Sequence, residues 1–439
     1  MAPRKPTVTA KVLQALLTRI GSASSGTKST LLARFQREIQ QPSVFHRLSE
    51  GKKQPHKPWN RKLRVVSIDM GIKNLAFCDA EVVYPATESA SEPSLHASMN
   101  ILRWKKIDLV GSTSEKKNHL LSEASESAED DANPYSPSVL SRTAHRLIKE
   151  EVLSVNPDII LIEKQRWRSG GGSAVQQWTV RVNTLEAMLW AILETLKPTA
   201  HGAGKNGEKH GYRVYAVDPK RVGQYWLSRH ARALEERNEQ LTTTTITTAD
   251  EPEPEPEIET ETPRSKTPPP QPRSKAEKSA KLSLLRSWLT QQPMSTTPST
   301  PLLTPCISFH VAPAAQRTLH AVVPSQGGSV VRRGRRGGGL KGKGKGEGKG
   351  RGRDGITTSK GDQEEKEGKE EEGEGEEETP PPPIKKLDDV TDCLLQAAAW
   401  VAWEVERVQV RRVSGVARSG SAMGDEAWIG RVVEGIGEA

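Results

Sequence analysis

The chain has 439 residues, of which only 34% are apolar, and a formal net charge of +9. No apolar run approaches the length of a bilayer span, so no membrane segment is expected, and the positive balance points to a polyanionic partner. The cysteines Cys78, Cys306 and Cys393 lie far apart with no CxxC pair, which excludes a zinc ribbon or a disulfide framework and fits a reducing compartment.

Met1 to Arg37 carries seven Lys/Arg residues and no acid. Two readings of this stretch stand side by side. A basic, amphipathic start fits a mitochondrial transit peptide, cleaved or retained. It also fits a folded module spanning 1–40: Leu13, Leu16, Leu17 and Ile20 recur at helical spacing, Gly21 ends that helix, and Leu31, Leu32 and Phe35 start a second. The Leu and Gly spacing across both helices resembles a SAP module, a small DNA-binding fold, with Lys28, Arg34 and Arg37 expected to face phosphates. A plain helical hairpin with solvated basic residues is the simpler alternative.

Residues 41–62 are basic, contain proline and show no periodicity, as in a linker. The run Arg64-Val65-Val66-Ser67-Ile68-Asp69 then reads as a buried strand ending on one carboxylate. Gly71 supplies the turn, and Leu75 to Cys78 returns as the second strand of a hairpin. Burying such a carboxylate is costly unless it is paired or binds a metal. Ile101 to Ile107 offers a third strand, followed by a Ser/Glu/Asp-rich loop. Leu140 to Val155 has helical periodicity, and Pro157 stops it. Ile159-Ile160-Leu161-Ile162 is a second fully apolar strand ending on an acid, Glu163.

Glu163 opens the loop Lys164-Gln165-Arg166-Trp167-Arg168, whose cations and aromatic ring suit a nucleic-acid backbone. Trp178 to Leu196 marks a further helix, and Tyr212 to Val217 a fifth strand closed by Asp218-Pro219-Lys220. Residues 63–230 thus form the first part of a core. Residues 242–383 read as a mostly disordered insertion of Glu/Pro, Gly/Lys/Arg, acidic and proline tracts, interrupted by one helix near 275–289. Residues 384–410 restore order as a helix opening on Asp388, Asp389 and Asp392. Capping alone explains acids at a helix start, but three within five residues exceed that need. The tail, 411–439, gives no reading.

Asp69, Glu163 and the Asp388/Asp389/Asp392 group come from three elements that an α/β sheet brings to one edge. Clustered carboxylates call for a hard divalent cation, Mg²⁺ or Mn²⁺, and two such ions suit phosphodiester hydrolysis. The words Ser67 to Ala76, Ile162 to Arg166, Val217 to Lys220 and Lys385 to Leu395 resemble the fungal mitochondrial Holliday junction resolvases, relatives of RuvC on the ribonuclease H fold.

That resemblance implies an α/β protein with a mixed five-stranded sheet flanked by helices. It also implies cleavage of four-way DNA junctions with paired symmetric nicks, as a homodimer in mitochondria. Asp69, Glu163, Asp388, Asp389 and Asp392 would be catalytic and hold the metal. Lys73, Lys164, Gln165, Arg166, Arg168 and Lys220 would contact DNA. The alternatives are a ribonuclease H-fold nuclease on other branched DNA or RNA–DNA hybrids, and a catalytically inactive junction-binding protein.

Overall fold

The computed structural model describes residues 8–40, 62–84, 96–111, 133–166, 172–197, 211–231, 273–290, 306–323, 384, 386–414, 428–430 and 432. The linker, Trp167, Arg168, Lys385 and the low-complexity tracts lie outside the described residues.

A six-stranded sheet carries the molecule: β1 (Lys62–Asp69), β2 (Leu75–Val83), β3 (Ala97–Ile107), β4 (Ile159–Glu163), β5 (Arg213–Val217) and β6 (Ile307–Val311), in the order β5-β4-β1-β2-β3-β6. β1, β2 and β3 form an antiparallel meander, whereas β4 runs parallel to β1 and β5 parallel to β4. The class is the mixed α/β sheet expected, but the strand count is six rather than five. β6 pairs in parallel with β3 and lies within the stretch read as low-complexity insertion. Its five residues, Ile307 to Val311, are too short a run to stand out between Pro- and Thr-rich flanks.

Helices cover both faces. On one side lie α1 and α2 of the N-terminal hairpin's neighbourhood and the long C-terminal helix; the helices are α1 (Ala10–Arg19), α2 (Lys28–Gln40), α3 (Pro137–Arg146), α4 (Ser173–Leu196), α5 (219–231), α6 (Arg273–Thr290), α7 (Gln316–Val322) and α8 (Leu387–Ser414). α3 and α4 bury Leu140, Ala144, Leu185 and Leu189 against Val66, Ile68 and Ile160. The opposite faces of the same strands, at Val65, Ile159 and Leu161, meet α5, α6, α7 and α8. The period-two alternation of strand side chains thus sends β1 and β4 into two separate cores.

α8 lies against the sheet and is buried on every side from Cys393 to Val405. Polar side chains fix its position. Gln396 Nε2 donates to Ser67 Oγ (3.1 Å) and to the Ile68 carbonyl (3.2 Å), and Ser67 Oγ donates to the Cys393 carbonyl (2.9 Å). Trp104 and Trp226 donate their indole N–H to the Val390 and Leu395 carbonyls at 2.9 and 3.0 Å.

The N-terminal hairpin packs Leu13, Leu17, Leu31 and Phe35 together with Val410, Trp428 and Ile429. Gly21 adopts φ +70° directly against the Trp403 ring, where a Cβ would come within 2.1 Å of Cδ2. Only glycine tolerates both the left-handed backbone and that approach.

Candidate active site

β1 and β4 are adjacent and parallel, with Ile68 level with Ile162. One residue further on, Asp69 and Glu163 leave the sheet side by side, in the spacing of neighbouring strands. The two carboxyl groups are close enough for each to bear on the other's charge. Burial first, then Glu163, Asp392 and Asp389, push the Asp69 carboxyl well above the usual range. Glu163 Oε2 also accepts from Met70 N and Gln165 Nε2, each at 3.3 Å, and Gln165 N donates to Glu186 Oε2 at 3.1 Å.

The first turns of α8 bring in the other acids. Trp104 and Gln396 set the helix depth, so Asp389 and Asp392 fall close enough to Asp69 to act on its charge. Asp389 is pushed up to about 6 by burial and by Asp388, and its buried Oδ2 has no hydrogen-bond partner. Burial likewise raises Asp392, with Lys281 opposing and Glu163 and Asp388 adding to the shift. Burial alone would raise Asp388, but the hydrogen bond from Lys278 carries it below the usual range. All five acids predicted from sequence therefore lie on one end of the sheet.

Three lysines that sequence reasoning passed over stand among them. Lys278 pairs with Asp388 Oδ2, Lys281 Nζ lies 3.1 Å from Asp392 Oδ1, and Lys106 Nζ lies 3.7 Å from Asp389 Oδ2. Among the described residues, no group of three or more His, Cys, Asp or Glu is already arranged to hold a metal ion. The donor set still suits a hard cation: the Asp69 and Glu163 carboxyls on adjacent strands and an Asp389 Oδ2 without a hydrogen bond are oxygen donors at one end of the sheet.

A groove of about 1110 Å³ opens beside this cluster and is lined by Glu163, Lys164, Gln165, Arg166, Lys220, Lys281 and, from the N-terminal hairpin, Gln14, Ser24 and Ser25. Lys164 and Lys220 are exposed on it. Arg166 is more constrained, because Nη2 donates to Asp218 Oδ1 at 2.8 Å, while Lys220 N donates to the same oxygen at 2.9 Å. Lys73 is exposed in the turn after β1.

In the hairpin, Lys28 and Arg37 are exposed, but Arg34 is occupied internally: Nη1 donates to the Ala23 and Ser25 carbonyls at 2.5 and 2.9 Å. Arg34 thus shapes the 22–27 loop that borders the groove. Arg168 lies outside the described residues.

Residues 65–410 match the family described as mitochondrial resolvase Ydc2 / RNA splicing MRS1. The chain belongs to this family. A curated relative, "Cruciform cutting endonuclease 1, mitochondrial" of Schizosaccharomyces pombe, is 33% identical over 169 residues, which is 38% of this chain and 53% of the relative. The match therefore spans about half of that relative's length. Among solved structures, the yeast mitochondrial Holliday junction resolvase Ydc2 aligns at 19% identity and TM-score 0.41, covering 92% of this chain and 98% of that one. RuvC of Thermus thermophilus in complex with a Holliday junction substrate aligns at 14% identity and TM-score 0.21, covering 40% of this chain and 77% of that one.

Proposed function

We propose that this protein is a divalent-metal-dependent endonuclease that cuts four-way DNA junctions by phosphodiester hydrolysis, and that it works in mitochondria. The observation that carries the reading is the meeting of Asp69 and Glu163 on adjacent parallel strands with Asp389 and Asp392 of α8, in a chain of this family. Rigid elements hold these groups, as hydrolytic sites require.

Asp69, Glu163, Asp392 and one or both of Asp388 and Asp389 would hold up to two ions, Mg²⁺ or Mn²⁺. When bound, such ions supply an activated water and charge stabilisation at the leaving oxygen. The chain's own residues do the rest. Gln165 and the Met70 amide orient the Glu163 carboxylate. Lys164, Lys220, Lys73 and Arg166 attract the phosphodiester backbone along the groove, Arg166 after exchanging Asp218 for phosphate. Lys28 and Arg37 add sequence-independent contacts from the hairpin. Symmetric cutting of two strands needs two such sites facing one junction, so a two-fold homodimer is expected.

A second reading, a nucleic-acid-binding protein without catalysis, is favoured by one observation: Asp388 and Asp392 are already paired with lysines, and Asp389 has one at 3.7 Å. An assay on a synthetic four-way junction, with linear duplex and RNA–DNA hybrid controls, separates the readings. Paired nicks on the junction alone, abolished by chelator, are expected. Binding without nicks supports the second reading, and cutting of the hybrid moves the activity to a ribonuclease.

A further inference from the structure

The acids at this site divide by partner. Asp69 and Glu163 face each other, whereas Asp388 and Asp392 each face a lysine of α6. Lys278 and Lys281 lie three residues apart, on one face of that helix. Their position is enforced by packing rather than by the acids. Leu284 and Leu285 are buried, and Trp288 lies edge-on to Trp226 at 4.6 Å and stacks on Phe309 at 5.4 Å. Lys281 is the deeper of the two: its side chain is 11% exposed, against 58% for Lys278. Glu277 Oε1 lies 3.3 Å from Lys281 Nζ and braces it from its own helix.

The geometry points to Lys278 and Lys281 as resident counter-cations that compete with divalent ions for Asp388 and Asp392, so that α6 sets the metal affinity of the site. This rests on the metal-dependent reading above. An ion that draws Asp392 inward toward Asp69 and Glu163 must first displace the Lys281 ammonium, which weakens its apparent affinity by the cost of that exchange. Without an ion, the same lysines hold an acidic helix start in place that would otherwise repel Asp69 and Glu163. Asp389 differs, since its buried Oδ2 has Lys106 only at 3.7 Å and makes no hydrogen bond.

Calorimetric titration of the full chain with Mn²⁺ alone, without DNA, tests this. Lys281→Met is expected to bind Mn²⁺ about ten-fold tighter than the parent. Lys278→Gln should gain only about two- to three-fold, because Lys278 is itself 58% exposed and its charge is screened by solvent, and Lys281→Arg should stay near the parent value. The melting temperature gives a second reading. The rise on adding Mn²⁺ should be larger for Lys281→Met than for the parent, since ligand linkage follows affinity. Unchanged or weaker binding by Lys281→Met overturns the proposal while leaving the nuclease reading intact. Failure of the parent and all variants to bind Mn²⁺ overturns both. A Lys281→Met chain that stays unfolded even in saturating Mn²⁺ makes the lysine a structural group and also overturns the proposal.

Discussion

The two halves of α8 use the same device for opposite ends. Near its start, Asp388, Asp389 and Asp392 are paired with lysines at a partly open edge beside the groove. Near its end, Glu406 is buried at 3% exposure between Arg19 and Arg229, with Arg229 Nη2 at 2.8 Å. Arg407 bridges Glu38 at 3.2 Å and donates to the Ile20 carbonyl. Ion pairs at the end of the helix are made to the N-terminal hairpin through Arg19 and Glu38 and to α5 through Arg229, around a buried Glu406. At the start, the three aspartates each face a lysine and are themselves partly exposed. The lesson is that burial of the acid, 3% exposed at Glu406 against 24–37% at the three aspartates, rather than the presence of the pair, separates a structural ion pair from a functional one.

Breaking the closed half should cost stability and spare chemistry. Glu406→Ala leaves two arginines facing an emptied site and should lose about 3–5 kcal/mol by denaturant unfolding, with metal binding by the folded fraction unchanged. Gly21→Ala forces a side chain into the Trp403 ring at positive φ and should cost about 2 kcal/mol by the same measurement. Gln396→Ala sits between the two halves. Losing its bonds to Ser67 Oγ and the Ile68 carbonyl should cost about 1–2 kcal/mol and also slow cutting, because it fixes α8 relative to β1.

The smallest stability effect should carry the opposite sign. The Asp69 carboxyl is raised well above its ordinary value by burial and Glu163, so the native state binds its proton more tightly than the unfolded chain does. Its contribution to stability is therefore full below the unfolded value and is lost as pH rises through the folded one. In chelator at neutral pH, Asp69→Asn should be about 1 kcal/mol more stable than the parent, seen as a melting point raised by ~2–4 °C. The gain should fade toward low pH and when Mg²⁺ is added. A loss of stability at neutral pH would make Asp69 a structural acid like Glu406.

Much of the site was legible because its acids end local patterns. Val65 to Ile68 and Ile159 to Ile162 are short apolar runs, and a single carboxylate after each is conspicuous. The acids opening α8 stood out by number. The lysines did not, because Lys278 and Lys281 lie in a lysine-rich helix, and only the packing of Trp288 on Trp226 and Phe309 selects which of them face Asp388 and Asp392. β6 escaped for the same reason: its pairing partner, β3, is about two hundred residues away in sequence. Arg34 was read as a phosphate contact from the SAP-like spacing around it, whereas its side chain binds the Ala23 and Ser25 carbonyls of the turn between Gly21 and Gly26.

The most direct test of the account places Asp69→Asn beside the parent chain on one labelled four-way junction, with binding measured in chelator and cutting in Mg²⁺. The account predicts equal junction affinity, since lysines and arginines of the groove hold the phosphates, together with no detectable nicks. Undiminished cutting by Asp69→Asn would contradict it, because hydrolysis would then be running without the acid on which the site is centred.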